Sequence, residues 1–261
     1  MIAGVRTASV SEVIGLLEAH VASEPGGVVA FDGDGTLWSG DIGEDLFEAV
    51  LDDGAISEEA HAALIREAEA AGLGTGGGAS AVARRIHAAY HEGTFPEERV
   101  CEIMTWIFAG WKAAEMEAFA ERVIVRVGLE ERLHPEAIAI VTWAREHLVP
   151  TYLVSASPRA VVEAAARRVG IARENVASAT EERSTEDFVL PSVVRPIPYG
   201  DGKVTHLRVK LGARPLYAAF GDNAFDVAML RESRTPVAIR PKSRLVERAG
   251  ELPGLLTLER M

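Results

Sequence analysis

The stretch VVAFDGDGTLW, residues 28–38, decides the fold, because an uninterrupted apolar run passes directly into two aspartates. Val28 to Phe31 show no polar alternation, which is typical of a strand buried on both faces of a parallel sheet. A Pro-Gly-Gly breaker at residues 25–27 precedes the run, so the strand is expected to begin at Val28. Asp32 and Asp34 then lie at the carboxyl end of the strand, where open α/β sheets bind ligands.

Three later apolar runs have the same character as the first. We predict strands at residues 151–155, 216–220 and 235–239, each of which follows a helical segment or a loop. Strands that alternate with helices imply right-handed crossovers and a parallel sheet covered on both sides. The predicted fold class is therefore α/β, with a doubly wound, Rossmann-like parallel sheet.

Helical spacing and end signals predict the elements between those strands. A helix is expected over residues 135–147, and a second helix is expected to start with Ser157 as N-cap and Pro158 at the first helical position. Gly170 is the stop signal of that second helix. Residues 188–203 hold several prolines and are predicted to form an edge strand or a flap.

Residues 41–133 form a segment of different composition, rich in alanine and glutamate with helical spacing. Ser57 is the predicted N-cap of one of its helices, since two glutamates follow it in the first turn. The glycine-rich residues 72–78 are predicted to be a linker, because no strand precedes them and no Gly-Lys-Ser/Thr follows. We interpret residues 41–133 as a helical domain inserted into a core domain of residues 1–40 and 134–261. The predicted helices are 43–52, 57–71, 79–91, 96–109 and 113–127.

The composition is that of a globular protein and excludes several function classes. Of 261 residues, 48% are hydrophobic and 25% are charged, which excludes disordered, collagen-like and fibrous proteins. The net charge of −12 argues against nucleic-acid binding, which normally needs a basic face. Cys101, the single cysteine, is expected to be a buried thiol without a disulfide, which fits a cytoplasmic location. We expect neither a signal peptide nor a membrane-spanning segment.

The spacing of Asp32 and Asp34 has a chemical meaning of its own. Two neighbouring carboxylates repel each other, and their pKa values rise, unless a cation lies between them. Mg²⁺ is the expected cation because it prefers oxygen ligands. Gly33 and Gly35 allow backbone N–H groups to approach an anion closely, so Gly33 is a candidate substrate contact. The alternative is a polar turn with capping aspartates, and the preceding apolar strand argues against it.

Residues 28–36 resemble the first motif of the haloacid dehalogenase superfamily of phosphohydrolases, in which Asp-x-Asp-Gly-Thr follows an apolar strand. The resemblance implies that Asp32 is the nucleophile and forms an aspartyl-phosphate, which splits one difficult displacement into two easier steps. It also implies that Asp34 is the general acid that protonates the leaving group and then the base that activates water. The free oxygen of Asp32 and the backbone carbonyl of Asp34 would hold Mg²⁺, so both are candidate metal ligands.

Three later segments match the remaining superfamily motifs in the expected order. Ser155 closes a predicted strand and would hydrogen-bond a phosphoryl oxygen. Lys203 would offset the negative charge of the phosphate and the aspartates. In the Gly-Asp-x-x-x-Asp pattern, Asp222 would complete the metal site as a direct ligand, and Asp226 would bind the metal through water or hold the lysine. The alternatives for the second and third motifs are Ser157 and Lys210.

The helical segment begins soon after the first motif and resembles the C1-type cap of the phosphoserine-phosphatase-like subgroup. Such a cap closes over the site, excludes water and brings groups that select the substrate. In that subgroup a glutamate reads the substrate ammonium, and its position is occupied here by the shorter Asp41. Asp41 is therefore a candidate substrate contact. Trp38 either lines the floor of the pocket, as a further substrate contact, or packs beneath the cap.

Other candidates for substrate selection lie inside the helical segment and stay open. The subgroup carries a cap arginine for the substrate carboxylate, and neither of two adjacent arginines aligns with it clearly. Three aromatic residues in one stretch would suit a quaternary ammonium such as choline, although packing between helices explains them more simply. These candidates are Arg84, Arg85, Trp106, Phe108 and Trp111.

The function implied by the resemblance is a Mg²⁺-dependent phosphomonoesterase that hydrolyses a small phosphorylated metabolite, such as one similar to phosphoserine or phosphocholine. A phosphotransferase would use the same intermediate with a different acceptor, and the sequence does not separate the two. A non-catalytic binding relative would have a broken motif, and here every motif residue is present. A dehalogenase is disfavoured because that branch lacks the second aspartate, here Asp34. Neither nucleic acid nor a membrane is expected as a partner, and a homodimer stays open.

Overall fold

The computed structural model describes residues 5–261, which fold around a parallel sheet. The strands are β1 (Arg6–Ala8), β2 (Val28–Phe31), β3 (Thr151–Pro158), β4 (Val176–Ala179), β5 (Glu181–Arg183), β6 (Val189–Val193), β7 (Leu216–Gly221), β8 (Thr235–Ala238) and β9 (Leu256–Leu258). Seven of them lie side by side in the order β1-β9-β8-β7-β2-β3-β4, and each neighbouring pair is parallel. The predicted α/β class is confirmed.

Helices cover both faces of the sheet, and six of them lie in the predicted helical segment, residues 41–133. The helices are α1 (Val10–Ser23), α2 (Ile42–Asp52), α3 (Glu58–Ala70), α4 (Ala79–His91), α5 (Glu97–Trp106), α6 (Ala113–Arg126), α7 (Leu129–Arg132), α8 (Pro135–Glu146), α9 (Arg159–Arg168), α10 (Asp201–Leu211), α11 (Val227–Arg231) and α12 (Ser243–Glu247). The predicted helices of the segment are present, although α5 ends at Trp106 instead of continuing to residue 109. Within residues 5–261, no helix combines the length and the apolar character needed to cross a membrane.

The apolar run of β2 lies in the middle of the sheet and is buried on both faces. Val29 and Phe31 join one hydrophobic cluster, whereas Val28 and Ala30 join a second cluster. Successive side chains of a strand point to opposite faces, so a strand covered on both sides carries no polar alternation. The Phe31 ring stacks on Phe220 of β7 with the ring centroids 4.1 Å apart, which aligns the ends of the two strands.

The start of α9 differs from the prediction. Ser157 is not an N-cap, because β3 continues to Pro158 and α9 begins only at Arg159. The physical reason is that the Ser157 hydroxyl donates a hydrogen bond to Asp34 and is therefore not available to the helix. The structure thus moves this serine from a structural position to the edge of the candidate site.

The segment at residues 188–203 combines a strand with irregular chain. β6 pairs with β5 as an antiparallel ribbon separate from the main sheet, which agrees with the predicted edge strand or flap. The chain then runs without regular structure to α10, which begins at Asp201. This irregular stretch connects the β5–β6 ribbon to α10, the helix that carries Lys203.

Candidate active site

The carboxyl ends of three adjacent strands bring the four sequence motifs to one place. In the sheet, β7, β2 and β3 are neighbours, and Asp222, Asp32 and Ser155 lie at or near their carboxyl ends. Lys203 reaches the same edge from α10. Parallel strands end on the same edge of a sheet, which explains why residues far apart in sequence converge here.

Asp32 is held through both of its carboxylate oxygens. Its Oδ1 accepts a hydrogen bond from Lys203 Nζ at 2.5 Å, and its Oδ2 accepts one from Thr36 Oγ1 at 3.0 Å. Its backbone N–H donates to the carbonyl of Phe220 at 2.9 Å, which ties the motif to β7. Burial and the Asp226 carboxylate raise the pKa of Asp32, and the ammonium of Lys203 opposes that rise. The carboxylate is thus fixed in orientation.

Lys203 is completely buried between two carboxylates. Its Nζ lies 2.5 Å from Asp32 Oδ1 and 2.5 Å from Asp226 Oδ1, and it also donates to the Val154 carbonyl at 3.3 Å. Burial alone would lower the pKa of Lys203, but the carboxylates of Asp226 and Asp32 outweigh burial and raise it. The side chain therefore stays an ammonium and balances the charge of this acidic site.

Asp226 organises the loop that follows β7. Its Oδ2 accepts hydrogen bonds from the backbone N–H groups of Asp222 at 3.0 Å and Asn223 at 2.9 Å, while its Oδ1 faces Lys203. Its side chain is wholly buried. Of the two sequence-based roles, the contact with the lysine is the one visible in this geometry.

Asp32, Asp222 and Asp226 form a set of carboxylates that fits a hard cation. Each offers an oxygen within 4.8 Å of the others. Asp222 Oδ1 is buried without a hydrogen-bond partner, whereas Oδ2 pairs with Lys242 Nζ at 2.9 Å. Burial and the neighbouring Asp226 raise the pKa of Asp222 to about 6. An all-oxygen donor set with an unpartnered buried oxygen suits a hard divalent cation.

The Asp34 carboxylate accepts three hydrogen bonds, all from groups outside this set. Its Oδ1 accepts from Trp38 Nε1 and from the backbone N–H of Ile42, both at 2.8 Å. Its Oδ2 accepts from Ser157 Oγ at 2.7 Å. Burial raises the pKa of Asp34, and these hydrogen bonds oppose the rise. The carboxyl group therefore has a fixed orientation and a raised affinity for a proton, as a general acid and base needs.

A cavity of about 530 Å³ lies above the strand ends. Asp32, Asp34, Asp41, Ser155 and Ser157 line it, so the candidate nucleophile and the candidate acid face the same space. The opposite wall comes from α4 and α5 and contains Tyr90, His91, Val100, Cys101 and Met104.

Asp41 lies at the border between the cavity and α2. Its Oδ1 accepts from the backbone N–H of Glu44 at 2.9 Å, which makes it the N-cap of that helix. Burial and the nearby Asp34 raise the pKa of Asp41 well above its usual value. The candidate ammonium contact is therefore also a structural cap.

A family model of haloacid dehalogenase-like hydrolases matches residues 29–231. The chain belongs to this family. The family resemblance and the hydrolase class predicted from the motifs are thereby confirmed.

Several solved structures share the fold of this hydrolase over most of its length. A protein with unknown function from Bordetella pertussis Tohama I is 19% identical with a TM-score of 0.65, covering 89% of this chain and 97% of that one. A conserved functionally unknown protein from Anaerococcus prevotii DSM 20548 is 14% identical with a TM-score of 0.67, covering 93% and 90%. A substrate-bound phosphoserine phosphatase is 13% identical with a TM-score of 0.53, covering 89% and 93%. Among curated proteins, none matches the sequence.

In this haloacid dehalogenase-like hydrolase, two expected substrate contacts lie outside the cavity wall. Trp38 is fully buried, and its indole N–H is used by Asp34. Gly33 lies against the Trp38 ring, because a Cβ at that glycine would come within 2.8 Å of Trp38 Cζ2. Of the two positions expected for Trp38, the packed one is observed, and Gly33, an expected substrate contact, lies against the Trp38 ring outside the cavity lining.

The candidates for substrate selection in the helical segment also make their contacts outside the cavity lining. Arg84 pairs with Glu48 at 2.5 Å and with Asp52 at 2.6 Å, and Arg85 donates to the Gly74 carbonyl at 2.7 Å. Of the three aromatic residues, two are buried in the core and the third donates its indole N–H to the Ala55 carbonyl at 3.0 Å. These aromatic residues are Trp106, Phe108 and Trp111.

Cys101 is a free thiol that is partly buried against the hydrophobic core, close to the expectation of a buried thiol without a disulfide. It is half-buried and borders the cavity, where burial and the Asp41 carboxylate raise its pKa. It therefore stays in the thiol form, which is a poor nucleophile.

Several residues that line the cavity were not predicted from the sequence motifs. Lys242 and Arg244 follow β8 and line the cavity, and the Lys242 backbone N–H donates to the Asp222 carbonyl at 2.8 Å. The available signal was their position just after a predicted strand, where α/β sheets place binding residues. Tyr199 and Phe225 also line the cavity, with ring centroids 5.1 Å apart. They adjoin the third and fourth motifs in sequence, but nothing in the residues themselves indicated a shared wall.

Proposed function

We propose that this hydrolase is a Mg²⁺-dependent phosphomonoesterase that works through an aspartyl-phosphate on Asp32. The observation that carries the proposal is the buried Lys203, which lies 2.5 Å from both Asp32 and Asp226 beneath the cavity. A structural ion pair needs only one anion. Lys203 instead contacts two carboxylates, and the cavity above them has room for a phosphate. We assign Asp32, the backbone carbonyl of Asp34 and Asp222 to Mg²⁺.

The chemistry assigned to the two aspartates of the first motif proceeds in two steps. The Asp32 carboxylate attacks phosphorus, the bond from phosphorus to the ester oxygen breaks, and Asp34 gives its proton to the departing alcohol. Asp34 then takes a proton from water, the resulting hydroxide attacks the same phosphorus, and the Asp32 carboxylate is released with inorganic phosphate. Mg²⁺, when bound, would offset charge on the phosphoryl oxygens.

Ser155 and Lys203 are assigned to the phosphoryl group itself. Ser155 lines the cavity, and its Oγ accepts from the Ser157 backbone N–H at 3.1 Å, so the hydroxyl hydrogen is free to point toward a phosphoryl oxygen. Lys203 supplies a fixed positive charge that needs no reorganisation during the reaction. Asp226 holds that lysine in place.

We further propose that residues 41–133 act as a cap over a core formed by residues 1–40 and 134–261. Support comes from the cavity, whose far wall belongs to α4 and α5 while its floor belongs to the strand ends. A wall of this kind keeps bulk water away from the acyl phosphate and contacts the leaving alcohol. A cytoplasmic setting remains part of the proposal, supported by the single cysteine, Cys101.

The lining of the cavity favours a leaving alcohol that carries a positive charge. The carboxylates of Asp41 and Glu97 face the space together with the rings of Tyr90, Tyr199 and Phe225. Carboxylates pair with an ammonium, and aromatic faces attract a quaternary ammonium. We therefore propose an amino-alcohol phosphate similar to phosphoserine or phosphocholine as the substrate.

A phosphate-release assay with a matched substrate panel tests the proposed function. Phosphoserine, phosphoethanolamine and phosphocholine are compared with glycerol phosphate, which has a neutral alcohol, with and without Mg²⁺. We expect release that requires Mg²⁺, favours the cationic alcohols and is abolished in Asp32→Asn, because a neutral amide does not attack phosphorus. Release that continues in Asp32→Asn would overturn the nucleophile assignment. Equal rates for glycerol phosphate would overturn the substrate class alone.

A further inference from the structure

A second group of metal-ligating side chains lies in the cavity wall, apart from the aspartate set. Glu44 on α2 faces His87 and His91 on α4. Glu44 Oε1 lies 3.6 Å from His87 Nε2 and 3.9 Å from His91 Nε2. One ligand atom of each residue lies within 4.8 Å of the other two. The two histidines are four residues apart on one helix, which places them on the same face.

The distances within this group are longer than hydrogen bonds and fit a shared ion. Around a four-coordinate zinc ion with bonds of about 2.0–2.1 Å, neighbouring ligand atoms lie roughly 3.3 Å apart. The contacts of Glu44 with the two histidines are a few tenths of an ångström wider than that spacing. Small side-chain rotations therefore close the set around one ion.

A buried ring nitrogen without a partner points into the same group. His87 is 9% exposed, and its Nε2 has no hydrogen-bond partner. Buried polar atoms are normally paired, so an orphaned imidazole nitrogen next to a carboxylate and a second imidazole indicates a missing ligand. Because Nε2 faces the group, it is the atom of His87 that would donate its lone pair to an ion.

A carboxylate behind His87 completes the arrangement. His87 Nδ1 lies 3.3 Å from Glu48 Oε1, and Arg84 holds Glu48 at 2.5 Å. The Glu48 carboxylate thus lies beside the ring nitrogen of His87 opposite to Nε2, the nitrogen that faces Glu44. Metal-binding histidines are commonly oriented in this way by a carboxylate on the other ring nitrogen.

We propose that Glu44, His87 and His91 bind a d-block divalent cation, with Zn²⁺ as the ion that the donor set fits best. Two imidazoles and one carboxylate suit zinc and its neighbours, whereas Mg²⁺ prefers an all-oxygen shell. Glu44 and His91 line the cavity, so the remaining coordination position faces its interior. Binding at this site does not depend on the proposed phosphatase reaction.

Spectroscopic titration with Co²⁺ in a large excess of Mg²⁺ tests the proposal without any activity measurement. Mg²⁺ fills the oxygen-rich aspartate set, and Co²⁺ reports imidazole ligands in a low-coordinate site through intense visible absorption. We expect one strongly absorbing Co²⁺ per chain, displaced by Zn²⁺ and not by further Mg²⁺. Wild-type protein without this absorption, or absorption that Mg²⁺ removes, would overturn the proposal.

Four variants assign the absorption to the proposed residues. The His91 side chain is 55% exposed, so His91→Gln should fold and lose the band, whereas His147→Gln, at an exposed histidine elsewhere, should keep it. Glu48→Gln should weaken Co²⁺ binding by about 10- to 100-fold, as expected for a residue that orients a ligand. Asp222→Asn should leave the band unchanged. A band that survives in His91→Gln, or one lost in Asp222→Asn, would overturn the assignment.

Discussion

Lys203 shows at the scale of single residues how the site balances its charge. A buried ammonium is costly unless buried anions pair with it. Here the Lys203 Nζ lies between Asp32 and Asp226, and neither carboxylate has appreciable solvent contact. The three groups are therefore interdependent, and removing the cation leaves two buried anions facing each other.

We predict that Lys203→Met abolishes phosphate release and lowers the free energy of unfolding by about 3–5 kcal/mol, the usual cost of breaking a buried ion pair from one side. Lys210→Met is the matched control, because Lys210 lies on the same helix with an exposed side chain that donates to the Glu174 carbonyl. It should change the unfolding free energy by less than about 0.5 kcal/mol. Chemical denaturation of both variants at neutral pH makes the comparison. Equal losses would show that Lys203 carries no special charge-balancing role.

Gly35 is required by space as well as by backbone conformation. It has a φ of +82°, and a Cβ at this position would lie 2.1 Å from Asp222 Oδ2. Gly54 also has a positive φ, of +61°, but a Cβ there would meet nothing within 4 Å. Alanine substitutions at the two glycines therefore separate the free-energy cost of the left-handed backbone from the effect of crowding the Asp222 carboxylate.

We predict that Gly35→Ala and Gly54→Ala each lose roughly 1–2 kcal/mol of stability from the left-handed backbone. Only Gly35→Ala should also lose Mg²⁺-dependent turnover, because its methyl group displaces the Asp222 carboxylate. Thermal unfolding and a Mg²⁺ titration of activity measure the two effects. Normal Mg²⁺ dependence in Gly35→Ala would mean that Asp222 is not needed where the structure places it.

At the scale of secondary-structure elements, the junction of β3 and α9 supplies a positioning group for the site. β3 continues through Pro158, which leaves Ser157 in the extended chain with its hydroxyl 2.7 Å from Asp34 Oδ2. Because α9 begins after Ser157, this serine can hydrogen-bond to Asp34, the proposed general acid and base.

We predict that Ser157→Ala lowers kcat by roughly 10- to 100-fold with little change in KM, since a hydrogen bond to a charged group is worth about 1.5–3 kcal/mol. The reason is that Asp34 keeps its other two hydrogen bonds but loses its orientation toward the leaving group. Steady-state kinetics on an amino-alcohol phosphate gives both constants, and Ser157→Thr, which keeps the hydroxyl, should restore most of kcat. An unchanged kcat in Ser157→Ala would remove the positioning role.

Elements with a strong local pattern were predictable from the sequence. The run from Val28 to Phe31 specifies a strand by itself, and Ser57 caps α3 as predicted, with its Oγ accepting from the Ala60 N–H at 3.1 Å. The strands β1, β4, β5 and β9 were missed because each is only three or four residues long and, unlike β2, contains polar residues that interrupt any apolar run. Such short strands are defined by their partners across the sheet and have too few residues to show a period.

Side chains that meet only through tertiary packing were beyond the sequence patterns. Asp32 and Asp34 stand out because their neighbours in sequence share the same site, whereas Lys242 reaches the site from a loop without a motif. Glu44 and His91 come together because α2 and α4 pack side by side. No histidine lies in a metal-ligand signature such as His-Glu-x-x-His, so the sequence did not predict this group.

At the scale of the whole molecule, the parallel sheet collects the reactive groups and the helical segment encloses them. The floor of the cavity is built by residues after β2 and β7, and its far wall is built by α4 and α5. In the proposed reaction, residues at the edge of the sheet transfer the phosphoryl group, and residues of the helices select the leaving alcohol. In the same proposed reaction, the phosphoryl group passes through Asp32.

The measurement that tests this claim most directly is the site of covalent phosphorylation in Asp34→Asn. An aryl phosphate needs no proton on its leaving group, so the variant should still transfer the phosphoryl group to Asp32 but lack the base that hydrolyses it. Borohydride reduction followed by peptide mass spectrometry should then find homoserine at position 32, and the double variant Asp32→Asn/Asp34→Asn should show none. Steady phosphate release without an adduct, or an adduct on another residue, would contradict the account.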